Sequence, residues 1–299
     1  MRQTLIIIIT LLTPILARGE LSVFACEPEW AALTQQLGGD RVSVFSATTA
    51  MQDPHHVEAR PSLIARLGRA DLAVCTGAEL EVGWLPLLLR RSANAKVQMH
   101  QPGYFEAAMQ VERLGIPTSL DRADGDVHAA GNPHVHLDPR RLLSIAAALS
   151  QRLSELDPAG RAEYAGRLQQ FQDHWHARIT QWESEAAPLK SLRIVVQHED
   201  WLYFNEWLQL DQVATIEPKP GVPPSAADQK RLLQTLSAQP PELIILAAYQ
   251  DDKAARWLAD KLDIPVVTLP FTVGGDGHSN TLTALFDRSL VLLLQAQGD

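Results

Sequence analysis

Histidines in three separate segments of the chain are candidates for chemistry. His55 and His56 lie in M-Q-D-P-H-H-V-E-A-R-P-S, His134 follows a proline in N-P-H-V-H-L-D-P, and His198 closes the apolar run R-I-V-V-Q-H. Proline fixes its own φ and disfavours helix at the residue before it, so the first segment is predicted to be an ordered loop. Neutral imidazole is the commonest metal-binding side chain, and several nitrogen ligands without thiolates suit zinc. This pattern makes His55, His134 and His198 candidate metal ligands, although any one of them alone is more often a structural histidine.

The elements that must position these histidines alternate between strand and helix. Strands are predicted at 21–26, 41–46, 71–76 and 96–99, and again at 193–197, 212–217, 242–248 and 265–271. Helices are predicted between them, at 31–37, 62–67, 79–90, 200–208, 225–236 and 252–262. Such alternation predicts an α/β fold with two similar lobes, each a parallel four-stranded sheet flanked by helices. The three histidines would follow strands, at the sheet edge where parallel α/β proteins bind ligands.

One long helix is predicted between the lobes. An apolar stripe with helical spacing runs through Tyr164, Leu168, Phe171, Trp175, Ile179 and Trp182, and Asp157-Pro158 precedes it. Aspartate suits a helix cap and proline suits the first turn. An unbroken helix of about 28 residues would be about 42 Å long and would act as a rigid strut.

The domain boundaries follow from these patterns. Residues 1–19 are predicted to be a signal peptide, 20–139 the first metal-binding lobe, 140–190 a helical segment containing the long helix, and 191–299 the second metal-binding lobe. The leader has one arginine before an apolar run of about a dozen residues, too short to span a membrane. A lipoprotein with Cys26 as its anchor is the alternative, but phenylalanine stands two residues before that cysteine where a small residue is expected. Export without a lipid anchor favours the periplasm.

Composition excludes some function classes. The 299 residues are 46% hydrophobic with a formal net charge of −9, which suits a folded protein with a full core and argues against nucleic acid as a partner. The two cysteines, Cys26 and Cys75, are each predicted near a strand end. They either pair in an oxidising compartment or remain two buried thiols.

Several motifs resemble one known family. D-P-H-H-V-E-A-R-P-S, A-D-L-A-V-C-T-G-A-E-L-E, N-P-H-V-H-L-D-P and V-V-Q-H-E-D-W-L-Y-F-N-E-W-L-Q-L occur in the order found in the zinc- and manganese-specific solute-binding proteins of bacterial ABC importers, the metal-binding cluster A-I family. The resemblance implies two α/β lobes joined by one long helix. It also implies that His55, His134 and His198 are metal ligands. Manganese-binding members usually have a carboxylate in the third position, so His198 favours zinc.

The fourth ligand is left open by the resemblance. Many members have an aspartate in the loop after the last strand, and here the usual position falls near Val273 while the available carboxylate is Asp276. Either Asp276 is the fourth ligand or a water molecule completes the site. The segment 121–131, with His128, is expected to be a mobile surface loop, the alternative being a loop that catches zinc. His136 is expected to orient a ligand, to be an alternate ligand or simply to pack, and Asp200 is expected to be solvated.

The expected function is that of a periplasmic, high-affinity zinc-binding protein that delivers Zn(II) to the membrane permease of an ABC importer. On this reading the chain is not an enzyme, Zn(II) is its transported ligand, and it works as a monomer, with a periplasmic zinc chaperone as a further candidate partner. A secreted zinc hydrolase with a three-histidine site is an alternative, although the chain has neither H-E-x-x-H nor G-x-S-x-G. A zinc metallochaperone or adhesin on the same fold is another.

Overall fold

Two parallel four-stranded sheets form the framework of the protein. The structure, a computed structural model, describes residues 20–118 and 125–298, so the predicted signal peptide lies outside the described residues. The first sheet has the order β2-β1-β3-β4 and the second the order β6-β5-β7-β8, with all pairs parallel. The strands are β1 Leu21–Ala25, β2 Val42–Ser46, β3 Leu72–Cys75, β4 Tyr104–Glu106, β5 Arg193–Val196, β6 Asp211–Thr215, β7 Leu243–Ala247 and β8 Val266–Leu269. The repeated order confirms the prediction of two similar α/β lobes.

Helices flank both sheets. They are α1 Pro28–Gly38, α2 Pro61–Leu67, α3 Leu85–Ser92, α4 Pro139–Leu156, α5 Arg161–Glu185, α6 Leu202–Leu208, α7 Ala226–Leu236, α8 Lys253–Leu262 and α9 Leu282–Gly298. The first four begin with a proline in the first turn, where the missing N–H costs nothing. Ser225 and Asp228 form a capping box at the start of α7. The local sequence thus sets where these helices begin.

The long helix joining the lobes is confirmed. The 25 residues of α5 follow a short 3₁₀ turn, Pro158–Gly160, and the predicted aromatic stripe faces inward. The Trp175 indole N–H donates to the Pro139 carbonyl at 2.8 Å, and that of Trp182 donates to Asp287 of α9 at 2.7 Å. These bonds hold α5 against helices on both sides of the molecule.

The chain around residues 96–106 differs from the prediction. The expected strand at 96–99 is a 3₁₀ turn, Ala95–Val97, and the fourth strand is β4, eight residues later in the chain at Tyr104. Gly103 allows this arrangement, because a Cβ there would lie 2.4 Å from the Lys96 carbonyl oxygen and 2.6 Å from that of Asp71. Pairing with β3 therefore starts only at Gly103, whose carbonyl accepts the Ala73 N–H at 2.8 Å.

A single apolar core connects the lobes. One cluster of buried residues includes Trp30 of the first lobe, Trp182 of α5, and Trp201, Phe271 and Phe286 of the second lobe, each at most 3% exposed. Separating the lobes would expose these side chains to water, at roughly 1.5–3 kcal/mol for each large apolar side chain. The relative position of the lobes is therefore fixed by packing as well as by α5.

The two cysteines are joined in a disulfide. Cys26 follows β1 and Cys75 ends β3, with 4.8 Å between their Cα atoms. Since β1 and β3 are hydrogen-bonded neighbours, the bond links their carboxyl ends. Of the two alternatives left open by the sequence, the structure has the paired one.

Among the described residues, none of the helices combines the length and the apolar composition that crossing a membrane requires.

Candidate metal site

The three predicted histidines meet between the lobes. One ring nitrogen each of His55, His134 and His198 lies within 4.8 Å of the other two, and all three side chains are buried. The ring centroid of His55 is 5.4 Å from that of His134 and 5.6 Å from that of His198. His55 lies in the loop between β2 and α2, and His198 follows β5 closely. Both lobes therefore supply imidazoles to one place.

The position of His134 was predicted for the wrong reason. It does not follow the fourth strand directly, since β4 ends at Glu106 and a long connection intervenes. Asn132 fixes this part of the connection: its side-chain oxygen accepts the His134 N–H at 3.0 Å, and its side-chain amide donates to the Glu199 carbonyl at 2.6 Å. The Tyr203 hydroxyl of α6 donates to the Asn132 carbonyl at 2.6 Å. His134 is thus held from the second lobe.

Asp53 orients His55. Its carboxylate accepts hydrogen bonds from the His55 backbone N–H at 2.9 Å and from Nδ1 at 2.8 Å. Although burial would raise the pKa of Asp53, the hydrogen bonds from His55 lower it. Trp84 donates to the Pro54 carbonyl at 2.9 Å and anchors the same loop. With Nδ1 donating to Asp53, the lone pair of His55 Nε2 is available to a metal.

Glu217 orients His198 in the same way. Its carboxylate lies 2.7 Å from His198 Nδ1 and also accepts the Gly221 backbone N–H at 2.8 Å. Burial alone would lower the pKa of His198, but the hydrogen bond to Glu217 and the charge of Asp200 raise it to about 9. A carboxylate behind a ligating histidine fixes the ring and increases its basicity.

His134 is the most deeply buried of the three. It is 1% exposed, and its Nδ1 has no hydrogen-bond partner among the described residues. Burial, and then the neighbouring imidazole of His55, lower the pKa of His134 well below its ordinary value. A neutral imidazole with an unpartnered buried nitrogen fits a metal-binding role, because buried polar atoms rarely lack a partner.

Asp200 adds a buried negative charge near the histidines and was not predicted. It is 0% exposed, and its Oδ2 accepts hydrogen bonds from the Tyr249 hydroxyl at 3.1 Å and from the Gln250 amide at 2.9 Å. Burial raises its pKa to about 6, while the charge of His198 acts in the opposite direction. From its position along the chain Asp200 was expected to be solvated. It is buried in the structure because Tyr249 packs over it.

Asp276 lies elsewhere. Its carboxylate accepts a hydrogen bond from Arg288 of α9 at 2.7 Å and another from the His278 backbone N–H at 2.9 Å, and it does not join the three histidines. Burial would raise the pKa of Asp276, but Arg288 and these hydrogen bonds lower it. Of the two alternatives for the fourth position, the structure does not bring Asp276 to the histidines, because Arg288 holds its carboxylate near α9.

Two other histidines lie close to the three, and of these only His128 differs from expectation. His128 lies against the site, with its Nε2 3.3 Å from Nε2 of His55. His136 is 1% exposed; its Nε2 lies 3.0 Å from the Phe271 carbonyl and its Nδ1 3.4 Å from a Glu29 carboxylate oxygen. His136 therefore has a packing and bridging position. His56 is mostly exposed, 3.6 Å from Asp126.

The space beside the site is small. A cavity of about 170 Å³ is lined in part by His128, His134, His198, Asn132 and Leu202. Pockets that hold small organic ligands are usually ~300–1,000 Å³. The arrangement suits a single ion held by neutral nitrogen donors, with carboxylates behind them to balance its charge.

Two parallel α/β lobes, a rigid joining helix and a histidine cluster between them define a metal-binding solute-binding protein. A family model described as ZnuA, zinc-uptake complex component A, periplasmic, matches residues 23–292. Because this match spans most of the 299 residues, the chain belongs to that family.

Relatives and solved structures agree with this assignment. The metal ABC transporter substrate-binding lipoprotein ScbA of Streptococcus cristatus is 22% identical over 260 residues, which are 85% of this chain and 80% of the relative. The manganese ABC transporter substrate-binding lipoprotein PsaA of Streptococcus mitis is 21% identical over 282 residues, 90% of this chain and 88% of the relative. A crystal structure of ZnuA has the same fold, with a TM-score of 0.77 and 22% identity, covering 93% of this chain and 99% of that one.

The family sets the general function. The protein is the metal-binding, solute-binding component of an ABC importer and acts outside the cytoplasm together with a membrane permease. It is a binding protein and not an enzyme. Relatives carry manganese or an unspecified metal in their names, so the choice of metal must come from the ligands of this chain.

Proposed function

We propose that this protein captures Zn(II) at high affinity in the periplasm and delivers it to the permease of its importer, with His55, His134 and His198 as ligands. The observation that carries the proposal is the meeting of three buried imidazole nitrogens within 4.8 Å of one another. Asp53 and Glu217 support it, because each holds Nδ1 of one ring and so leaves Nε2 as the nitrogen for a metal.

The preference for zinc rests on donor type. Manganese favours carboxylate, carbonyl and water oxygens, while imidazole suits zinc. Asp276, the carboxylate that could have added an oxygen ligand suited to manganese, is paired with Arg288 instead. The three candidate ligands are all nitrogen donors, so Zn(II) should bind far more tightly than Mn(II) here.

The proposal includes a periplasmic protein without a lipid anchor. A lipid-anchored cysteine carries a thioether on its sulfur and cannot form a disulfide. Cys26 and Cys75, the two cysteines of the 299 residues, are bonded to each other. This pairing supports export to an oxidising compartment without lipidation. A monomeric state and loading by a periplasmic zinc chaperone stay predictions.

Competition with a chromophoric chelator tests the proposal. The mature protein should bind one Zn(II) tightly and Mn(II) at least a hundredfold more weakly, a difference of about 2.7 kcal/mol. His198→Ala should lose most of the zinc affinity, because it removes one of three ligands. His56→Ala is the matched control, since His56 is exposed beside His55, and it should bind like wild type. Tighter binding of manganese than zinc would contradict the choice of metal.

A further inference from the structure

The segment 125–131 lies across both lobes next to the three histidines. Near the start of the segment, the Asp126 backbone N–H donates to the Pro220 carbonyl of the second lobe at 3.0 Å. Further along, the Ala129 backbone N–H donates to the carboxylate of Glu79 in the first lobe. Within the segment, the Gly131 N–H donates to the His128 carbonyl at 3.1 Å. The segment is therefore attached on both sides of the site.

Two glycines permit this close contact. Gly125 has φ +82°, and a Cβ there would lie 2.1 Å from the Pro220 carbonyl oxygen. Gly221 has φ +74°, and a Cβ there would lie 2.1 Å from Asp126 Oδ2. Side chains rarely adopt this backbone conformation and would also collide at both positions. The segment can approach the second lobe this closely only because both residues are glycines.

His128 is the residue that the segment brings to the site. Its ring stacks on that of His55 with 5.3 Å between centroids, and the two Nε2 atoms are 3.3 Å apart. Since His55 Nδ1 donates to Asp53, a neutral His55 offers its Nε2 as an acceptor, and His128 Nε2–H is then the donor. Two nitrogens on one tetrahedral zinc, each at 2.0–2.1 Å, are also about 3.3 Å apart. This spacing equals the one that a shared ion would impose.

We propose that His128 is the fourth protein ligand of the bound ion, so that four imidazoles enclose Zn(II). This inference rests on the proposed function and specifies its site. In the metal-free protein, the hydrogen bond to His55 holds His128 beside the three buried histidines. When the ion enters, the His128 ring changes its tautomer: Nε2 releases its proton to solvent, Nδ1 takes one up from solvent, and the neutral ring presents the Nε2 lone pair to the metal.

Asp200 is the competing candidate. It is fully buried and its Oδ1 has no partner among the described residues. Its other oxygen, however, is held by Tyr249 and Gln250. Neither Asp200 nor His128 joins the group formed by the three histidines, so the choice between them rests on the other contacts of each residue. His128, by contrast, already has a nitrogen at ligand spacing from His55. The geometry therefore favours His128.

The test combines zinc affinity with the visible spectrum of the Co(II)-loaded mature protein. His128→Ala should still bind one Zn(II), but with a lower affinity. Loss of a residue that only supports a ligand costs ~10–100-fold in metal affinity, and loss of a ligand should cost at least as much. The cobalt bands should shift, because water replaces a nitrogen donor. Gly125→Ala keeps every histidine in the sequence but should weaken binding in the same direction, since its Cβ collides with Pro220 and displaces the segment that carries His128. His176→Ala, at an exposed position of α5 away from the segment, is the control and should leave both readouts unchanged.

The possible results separate this inference from the proposed function. If wild type binds one zinc that depends on His198, while His128→Ala has wild-type affinity and the wild-type cobalt spectrum, the four-histidine site is overturned and the carrier stands. A large loss in Asp200→Asn with none in His128→Ala assigns the fourth position to Asp200 and likewise overturns the inference. Absence of tight zinc in wild type overturns both proposals.

Discussion

At the residue scale, the site combines three imidazoles with carboxylates that lie behind two of them. Asp53 accepts from His55 Nδ1 at 2.8 Å and Glu217 lies 2.7 Å from His198 Nδ1. These contacts fix which nitrogen of each ring is available, so little ordering is left to occur when the ion binds. The affinity of the site should therefore depend on residues that never touch the metal.

Glu217→Gln tests this dependence. Glutamine can still accept the hydrogen bond from His198 but lacks the negative charge, so we expect zinc affinity to fall ~10–100-fold at constant pH. Glu199→Gln is the matched control, because the hydrogen bonds of the Glu199 side chain within the described part of the chain go to Gln212, at 3.4 Å. Chelator competition on both variants measures the difference. Equal affinities would show that Glu217 does not act on the metal.

Asp276→Asn separates a structural role from a ligand role. The ion pair with Arg288 is partly exposed, so its loss should cost no more than about 1 kcal/mol of the free energy of unfolding. Zinc affinity should stay within twofold of wild type, a difference of about 0.4 kcal/mol. Urea unfolding and chelator competition provide the two numbers. A tenfold loss of zinc affinity would place Asp276 in the site after all.

Buried Glu81 predicts a pH dependence of stability. Its carboxylate accepts the backbone N–H groups of Thr76 and Gly77, yet burial raises its pKa from 4.5 to about 7. The folded state thus binds more protons than the unfolded state between these values, and this contribution to stability is lost as pH rises from about 4.5 through 7. In urea unfolding with a chelator present, the difference in stability between pH 5 and pH 8 should be smaller in Glu81→Gln. If the stability difference between pH 5 and pH 8 were the same in Glu81→Gln as in wild type, Glu81 would not be the source of this pH dependence.

Sequence patterns predicted the buried histidines more readily than their supports. Proline neighbours and strand ends marked His55, His134 and His198. Glu217 could have been predicted in the same way. It follows β6, and β6 is the hydrogen-bonded neighbour of β5, the strand that His198 follows. Asp200 and His128 were not, because burial of Asp200 depends on Tyr249, nearly fifty residues away, and the place of His128 depends on contacts from both lobes.

At the element scale, the parallel sheets and α5 were predictable because each depends on a local period. The fourth strand was not, because its position depends on the close passage of Gly103 past Lys96 and Asp71. The approach to His134 is similar: its segment is held by Asn132 and Tyr203 rather than by a strand. Long-range contacts of this kind leave no periodic signal in the sequence.

The disulfide is the covalent link between two elements of the first sheet. Cys26 and Cys75 are 49 residues apart in sequence, so reduction should cost roughly 2–4 kcal/mol of the free energy of unfolding. The double variant Cys26→Ser/Cys75→Ser should show the same loss by urea unfolding. Wild type under a reducing agent is the comparison. A double variant as stable as the oxidised protein would mean that the hydrogen bonds between β1 and β3 are sufficient without the disulfide.

At the scale of the whole molecule, the continuous core predicts a small response to metal. Trp182 on α5 and Phe286 on α9 pack against each other with 5.0 Å between ring centroids, and the same cluster reaches Trp30 in the first lobe. Parting the lobes would open this cluster to water. We expect the radius of gyration from small-angle scattering to change by less than about 1 Å when zinc is added to the metal-free protein. A larger decrease would indicate wide lobe closure.

The attachment of segment 125–131 to both lobes also bears on the speed of release. If the lobes stay together, the ion leaves only when this segment lifts, so the dissociation rate constant reports how often its bonds to Pro220 and Glu79 break. The segment then contributes to residence time as well as to affinity, because its lifting withdraws His128 and opens the path to solvent together. A permease that contacted this segment would accelerate unloading by removing one ligand, while the other three stay in place.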